Sequence, residues 1–149
     1  MSHARTIIRK TIVSLLKNNS ALKRTVGDKI YESKVYPVDN TPSIVVYTPS
    51  EQVTEYSMSF PRSQTRQLSL IIEIYAKENS SIDQISDSLA LEVEEIIADD
   101  PTLGKMVKDM VLNSSETIFS GDGDKPIAVA TLTYHITYRT KETSPSKLI

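Results

Sequence analysis

The sequence predicts an α+β domain: a mostly antiparallel, twisted sheet of about four to five strands, with two to three helices packed on one face. Three observations lead to this fold class. Segments 3–18 and 80–100 place apolar residues at spacings of three and four, which is the helical pattern. Segment 66–77 alternates strictly, as a half-buried strand of an antiparallel sheet does. A run of strand-forming residues, 127–140, closes the domain.

The composition is that of an ordinary globular protein. The 149 residues suit one domain, which we expect to span 1–140, followed by a polar C-terminal tail, 141–149. The formal net charge of −2 argues against a dedicated nucleic-acid-binding protein. The absence of cysteine excludes disulfides, thiolate nucleophiles and zinc–thiolate sites. Without a secretory signal or an apolar run near the ~20 residues of a membrane span, we expect cytoplasmic synthesis and no membrane partner.

The first predicted element is an amphipathic helix over 3–18, which Ser2 can cap. Its apolar face consists of Ile8, Ile12, Leu15 and Leu16. A polar connection, 19–29, then leads to a modest strand over 29–38. The next strand, "TPSIVVYTP" (41–49), is clearer because prolines bracket its β-branched residues.

Segment 66–77, "RQLSLIIEIYAK", is the most regular strand. One face carries Leu68, Leu70, Ile72, Ile74 and Ala76. The helix over 80–100 follows, with a candidate capping box formed by Ser81 and Gln84. Its apolar stripe consists of Ile82, Ile85, Leu89, Val93 and Ile96. Asp100 followed by proline then predicts a short third helix to about residue 112, burying Leu103, Val107 and Met110.

The last two predicted strands, 115–120 and 127–140, are joined by the turn "GDGDKP". The core face of the longer strand carries Ala128, Ala130, Leu132, Tyr134, Ile136 and Tyr138. Its other face carries Thr131, Thr133, His135, Thr137 and Arg139. Extended, this strand is about 46 Å long, whereas the domain diameter is roughly 38 Å. We therefore expect its end, 135–140, and the tail to project toward a neighbouring chain, with a strand edge free to pair.

No catalytic or cofactor chemistry is predicted. The two histidines are His3, near the terminus, and His135, on the outward face of a strand, and they form neither a metal cage nor a triad. "GDGD" lacks the glutamate that a calcium loop needs at position twelve, where Thr133 stands. The acidic residues within 92–100 lie on the solvent side of their helix, and no glycine-rich phosphate loop is present. We expect no catalytic, metal or cofactor-binding residues.

Segment 50–65 is the strongest candidate for an interaction surface. A connection of this length is uncommon in a compact domain and is usually functional or disordered. It carries residue types that are enriched at interface centres. The alternatives are a mobile hairpin tip or unrecognised extensions of the flanking strands. The predicted interface residues, in contact with another subunit or a partner protein, are Tyr56, Met58, Phe60, Arg62, Arg66, His135, Thr137 and Arg139.

The sequence resembles the tail terminator proteins of tailed bacteriophages, the minor tail protein U family of lambda-like phages. The resemblance is carried by the opening helix, "TPSIVVYTP", "RQLSLIIEIYAK" after a long polar segment, the helix "SIDQISDSLALEVEEII" and the pair "SETIFSGDGDKPIAVATLTYHITYRT". It covers about residues 3–140. The family contributes no catalytic signature, so no site residue is transferred from it.

The resemblance implies a homo-oligomeric, hexameric ring that caps the head-proximal end of the tail tube. Such a ring stops tube polymerisation and provides the attachment surface for the head or neck. The implied partners are the tail tube protein and a head-completion or neck protein, with DNA only as passing cargo. The implied location is the virion, after assembly in the host cytoplasm, and the implied role is non-enzymatic. The alternative is another tail-completion or neck adaptor that joins head and tail without terminating the tube.

Overall fold

The computed structural model describes residues 2–32, 42–77, 82–120 and 127–149, and the structural statements below concern these residues. They confirm the α+β class, with three helices beside an open five-stranded sheet of order β1-β2-β3-β5-β4. The elements are α1 (Ala4–Lys17), α2 (Ser20–Val26), β1 (Ile30–Tyr31), β2 (Ser43–Tyr56), β3 (Ser63–Lys77), α3 (Ile82–Asp99), β4 (Asp109–Ser120) and β5 (Ile127–Lys141). Among the strands of the described residues, only the β1–β2 pair is parallel.

The core lies between the helices and one face of the sheet. The predicted core faces of β3 and β5 are confirmed, since every residue predicted to point inward from these two strands is buried. The helices contribute Ile8, Ile12, Leu16, Leu22, Leu89, Val93 and Ile97 to the same cluster. Each large apolar side chain that leaves water contributes about 1.5–3 kcal/mol to folding. This one cluster therefore holds both layers together.

The N-terminal helices differ from the prediction at two points. His3, rather than Ser2, caps α1, because its Nδ1 accepts a hydrogen bond from the Arg5 N–H at 3.3 Å. The prediction of a polar connection over 19–29 was wrong, because residues 20–26 form α2. The Asn19 side chain accepts from the Leu22 N–H at 2.9 Å and starts this helix. Seven residues are too few to show a clear helical period in the sequence.

Some predicted features lie wholly or partly outside the described residues. The strand predicted over 29–38 is confirmed only as the two-residue β1, and positions 33–38 are not among those described. Ser81 of the predicted capping box and the turn 121–126 also fall outside them. The register of β4 and β5, in which Ser120 lies opposite Ile127, is that of an antiparallel pair.

The predicted third helix was wrong. Three successive residues have left-handed backbone angles, namely Leu103 (φ 50°), Gly104 (φ 66°) and Lys105 (φ 72°), and a right-handed helix cannot continue through them. The Asp100 carboxylate accepts from the Gly104 N–H at 3.0 Å and holds this turn. The chain enters β4 at Asp109. Leu103, Val107 and Met110 are nevertheless buried, as predicted.

The prediction of a long loop over 50–65 was also wrong, because strand extensions occupy most of it. β2 continues to Tyr56 and β3 begins at Ser63, so the connection is a short turn over 57–62. The pairing is irregular between Tyr47 and Ser50 and again between Val53 and Glu55. These irregularities interrupt the alternation of side chains, and for that reason the extended strand was not recognised from its sequence.

The long strand β5 does not offer a free edge. It lies between β3 and β4, and Thr137 is opposite both Gln67 and Asp109. The expectation that this strand pairs across chains was therefore wrong. Strand order depends on contacts between distant segments, which the residues of β5 alone do not reveal.

The C-terminal tail folds back onto the domain instead of projecting. The Ala4 N–H donates to the Pro145 carbonyl at 3.0 Å, and the Ile149 N–H donates to the Arg139 carbonyl at 2.9 Å. Leu148 packs against the core. The tail thus covers the end of β5 that extends past β4. The domain boundary at residue 140 stays a prediction.

Replacing Thr137 with proline tests the central position of β5. Proline removes a backbone N–H from an internal strand, and an unmade buried hydrogen bond costs about 1–3 kcal/mol before any steric strain. We expect the melting temperature to fall by several degrees, at about 2–4 °C per kcal/mol. Thermal unfolding followed by circular dichroism measures this, with Thr137→Val as a control that keeps the N–H. A proline variant that melts with the parent would contradict the internal placement.

Candidate assembly surface

The turn of the β2–β3 hairpin is closed by its own hydrogen bonds. The Ser57 N–H donates to the Ser63 carbonyl at 2.9 Å, and the Ser63 N–H donates to the Ser57 hydroxyl at 2.9 Å. A cis peptide bond joins Phe60 to Pro61. These reciprocal bonds define the conformation of the six-residue turn, 57–62, that carries three of the predicted contact residues.

Four of the predicted contact residues form one exposed group at this turn: Tyr56, Met58, Phe60 and Arg62, here called the tip cluster. The exposed fractions are 63% for Tyr56, 86% for Met58 and 73% for Phe60. The Arg62 guanidinium lies 4.0 Å from the centroid of the Phe60 ring and 5.7 Å from that of Tyr56. Such cation–π contacts contribute about 0.5–1 kcal/mol at exposed sites. Clustered apolar groups that stay in water in the single chain indicate an interaction site.

The root of the hairpin contains a largely buried polar network around Glu51. Its carboxylate accepts hydrogen bonds from Arg66 and from Arg5, both at 3.1 Å, and another from the Tyr138 hydroxyl. The His3 Nε2 lies 3.3 Å from Arg66 Nη1. The side chains of Glu51 and Arg66 are only 8% and 12% exposed. Arg66 therefore has an internal partner, and the geometry gives it no free position on the surface.

Two pKa shifts follow from this arrangement. Burial, and then the hydrogen bond to Glu51, raises the pKa of the Tyr138 phenol, so the hydroxyl keeps its proton and donates. Burial, together with the positive charge of Arg5, lowers the pKa of His3 below its usual value. The neutral imidazole is the form that can accept the Arg5 N–H at the start of α1.

The remaining predicted residues lie on the opposite side of the sheet. Tyr56 shares the helix-covered side with the buried Thr140, because both lie opposite Gln64. His135, Thr137 and Arg139 alternate with that set and therefore lie on the side without helices. The structure does not bring this second group together with the tip cluster.

Sequence reasoning missed the exposed apolar residues of β4, because part of that strand was predicted as helix. Val111, Ile118 and Phe119 are each more than half exposed. β4 is the last strand of the sheet as described, so one of its edges has no strand partner there. The strand-forming residues in "DMVLNSSETIFS" were the available signal.

A groove of about 390 Å³ lies between α3 and β4 on the helix side of the sheet. Its floor includes the buried Ala130 and Leu132, and Leu91 is a half-exposed wall. Its other lining residues are Asp87, Ala90, Glu94, Ser115, Glu116 and Thr117. The groove thus has an apolar base bordered by the Asp87 and Glu94 carboxylates of α3. Glu116, in contrast, lies opposite Thr131, and its side chain is on the side of the sheet without helices. Sequence reasoning had assigned the acidic residues of α3 only to solvent.

The described residues contain no group of three histidine, aspartate or glutamate side chains that could hold a metal ion. Within the same residues, no helix is both long enough and apolar enough to cross a membrane. The chemistry available at the tip cluster and the groove is that of binding surfaces, with apolar contact and charge pairing.

Comparison with known proteins decides the family. The sequence matches the description "Phage minor tail protein U" over residues 3–138, nearly the whole chain. The chain belongs to the phage minor tail protein U family. The resemblance noted from the sequence is thereby confirmed, and membership in the minor tail protein U family gives the chain a structural role in a phage tail and a location in the virion.

A solved structure supports the fold assigned to this member of the minor tail protein U family. It is a chain of the "Virion of native gene transfer agent (GTA) particle", with 11% identity and a TM-score of 0.53. The match covers 87% of this chain and 94% of that one. At this identity the likeness concerns the fold alone. A comparison with curated sequences finds no match.

Replacing Glu51 with alanine should strongly destabilise the protein. The change leaves the Arg66 charge nearly buried without its carboxylate, and breaking a buried pair in this way costs about 3–5 kcal/mol. Arg5→Ala is the matched control, because the Arg5 side chain is 44% exposed and its ion pair contributes at most about 1 kcal/mol. Urea unfolding measures both variants. If Glu51→Ala and the parent were equally stable, the Glu51 network would not be what stabilises this part of the fold.

Proposed function

We propose that this chain caps the head-proximal end of the tail tube as a homo-oligomeric ring, a hexamer. The ring stops the addition of tube subunits and then provides the surface to which the head or neck attaches. The observation that carries the proposal is the tip cluster, an exposed apolar group on a hairpin whose turn is held by its own hydrogen bonds. The chain that presents it belongs to a phage tail protein family. The tail tube protein and a head-completion or neck protein are the proposed partners, and DNA only passes through.

A ring needs two different contact surfaces on every subunit, because each neighbour in a cyclic assembly meets a different patch. A cap also needs a surface that binds the last layer of the tube. The described residues offer separate candidates: the tip cluster, the exposed apolar residues of β4, and the groove beside α3. Their separation supports an assembly protein with several simultaneous neighbours.

A non-enzymatic role completes the proposal. Membership in a family of tail proteins supports it. The two histidines also lie apart, since His3 is engaged at the start of α1 whereas His135 lies on the side of the sheet without helices. The residues that stand out by exposure are apolar, which suits contact with other proteins.

Deleting the gene from its parent phage or prophage tests termination directly. We expect overlong, headless tubes, because nothing would then stop tube polymerisation. Electron microscopy of lysates gives the distribution of tail lengths, and expression of the parent chain in trans should restore the normal length. Normal-length tails that fail only to join heads would favour the neck-adaptor alternative. Intact, infectious particles would overturn both readings.

Replacing Tyr56 and Phe60 together with alanine tests the tip cluster. Both side chains are largely exposed, so we expect the melting temperature to stay within about 2 °C of the parent. We expect the variant to lose complementation of the deletion, because the apolar contact area is removed. Ile149→Ala is a matched control, since Ile149 is also an exposed apolar residue, at 46%, outside the tip. A large loss of stability, or full complementation, would contradict the assembly role of these two residues.

A further inference from the structure

We infer that the groove between α3 and β4 of one subunit receives the tip cluster of the next subunit. This inference rests on the proposed ring and specifies its subunit contact. The occupant is therefore a second copy of this chain, and the contact is between two different patches. Repeated around a closed cycle, one such contact per subunit pair generates a ring.

The groove and the tip cluster are complementary in polarity. Ala130 and Leu132 give the groove an apolar floor, and Leu91, which is 56% exposed, adds an apolar wall that water now covers. The tip cluster presents Met58 and Phe60, its two most exposed side chains. Inserting these apolar groups would remove both surfaces from water, which stabilises association by about 25 cal/mol per Å².

The charges are complementary as well. The carboxylates of Asp87 and Glu94 line the groove, and no lysine or arginine is among its lining residues in the described part of the chain. The pKa of Tyr134 is raised mainly by burial and also by the negative charge of Glu94. The Glu94 carboxylate therefore lies near β5, the strand that carries Tyr134 and the groove floor. Arg62 is the cation of the tip cluster. A positive tip and a negative groove favour the correct partner and orientation.

Arg62 already has a partner within its own chain, but the pair is loose. Its Nη1 lies 3.7 Å from the Glu142 carboxylate, and the two side chains are 36% and 29% exposed. A partly exposed ion pair of this kind contributes about 0–1 kcal/mol. Arg62 can therefore turn toward a carboxylate of a neighbour at little cost, while the backbone bond from the Glu142 N–H to the Arg62 carbonyl keeps the turn in position.

The two surfaces cannot meet within one chain. Tyr56 lies opposite Gln64, whereas Ala130 of the groove floor lies opposite Ile74, ten residues further along β3. Ten residues of strand span about 33 Å. The hairpin is also separated from β4 by β5. A tip cluster can enter this groove only from another copy.

The contact area predicts a weak pairwise interaction. Large side chains of this kind bury about 150–250 Å² each, so the three apolar residues of the tip cluster offer roughly 350–550 Å² at their observed exposure. A standard interface takes about 800 Å² from each partner. One tip in one groove is therefore too small for a stable dimer, whereas closing a ring or binding the tube adds contact. We expect assembly to depend on concentration or on the presence of the tube.

The absence of cysteine from the sequence makes disulfide cross-linking a clean test. Met58→Cys and Leu91→Cys are introduced into the same chain, and the protein is oxidised mildly both at high concentration and in assembled tails. We expect a ladder of covalent oligomers on a non-reducing gel that collapses on reduction. Met58→Cys with Lys17→Cys is the matched control, because Lys17 is exposed at the end of α1, away from the groove. The control should give at least tenfold less cross-linking.

Charge reversal provides a second readout. Arg62→Glu alone and the pair Asp87→Lys with Glu94→Lys alone should each weaken self-association about tenfold or more, as measured by sedimentation, because like charges would then face each other. The combination of all three changes should restore a substantial part of the association. Strictly additive losses would overturn the inference, since they would show that these charges do not meet.

The outcomes separate this inference from the proposed function. Rings that terminate tails but give no Met58–Leu91 cross-link would overturn the groove contact and leave termination standing. Cross-links between two Met58→Cys positions, or from Met58→Cys to the tube protein, would likewise overturn it by giving the tip another occupant. Specific cross-links together with normal tails in the gene deletion would support the contact and overturn termination.

Discussion

The carboxylate of Glu51 is the contact on which the shape of this domain most depends. It lies on β2 and binds Arg66 of β3, Tyr138 of β5 and Arg5 of α1. One nearly buried group thus connects three neighbouring strands to the start of α1. A charge in this position is stable because Arg66 and the Tyr138 hydroxyl are buried beside it, and removing either of these two partners leaves a desolvated polar group.

This network explains how two polar strands can extend past the hydrophobic core. Beyond Glu51, the residues of β2 are exposed on both sides, and the extension has little apolar area of its own to hold it. Three sets of contacts hold this extension in one conformation: the Glu51 network at its base, the backbone hydrogen bonds to β3 along its length, and the Ser57–Ser63 bonds at the turn. The apolar residues of the tip cluster, which are not part of the core, lie at the turn end of this extension. A binding group on such a support loses little conformational entropy when it docks.

The sequence predicted those parts of the fold that depend on regular periodicity. The alternation of β3 and β5 identified the core residues correctly, because each pattern repeats over many residues. The stripe predicted for α3 was right at Ile82, Leu89 and Val93, whereas Ile97 is buried in place of Ile96. The errors arose where one local geometry decides the structure. The left-handed angles at Leu103 to Lys105 end a predicted helix, and the single cap at Asn19 starts an unpredicted one. The position of β5 inside the sheet depends on pairing between distant segments, and no pattern within 127–140 contains that information.

The candidate site also has one part that could be predicted from the sequence, the tip cluster, and one part that could not, the groove. The exposure of the tip cluster was predictable, because Tyr56, Met58 and Phe60 belong to a segment without a core pattern. The groove was not, because Leu91 and Asp87 come from α3 whereas Ser115 and Thr117 come from a strand that had been predicted in part as helix. Both surfaces are attached to the same sheet, and β5 is paired along both sides through Thr137. The orientation of the tip relative to the groove within one subunit is therefore fixed by the twist of that sheet, a property of the whole ladder. If tip and groove join neighbouring subunits, the number of subunits in the ring depends on this orientation together with the docking angle, and substitutions at the tip that keep the docking angle should change affinity without changing ring size.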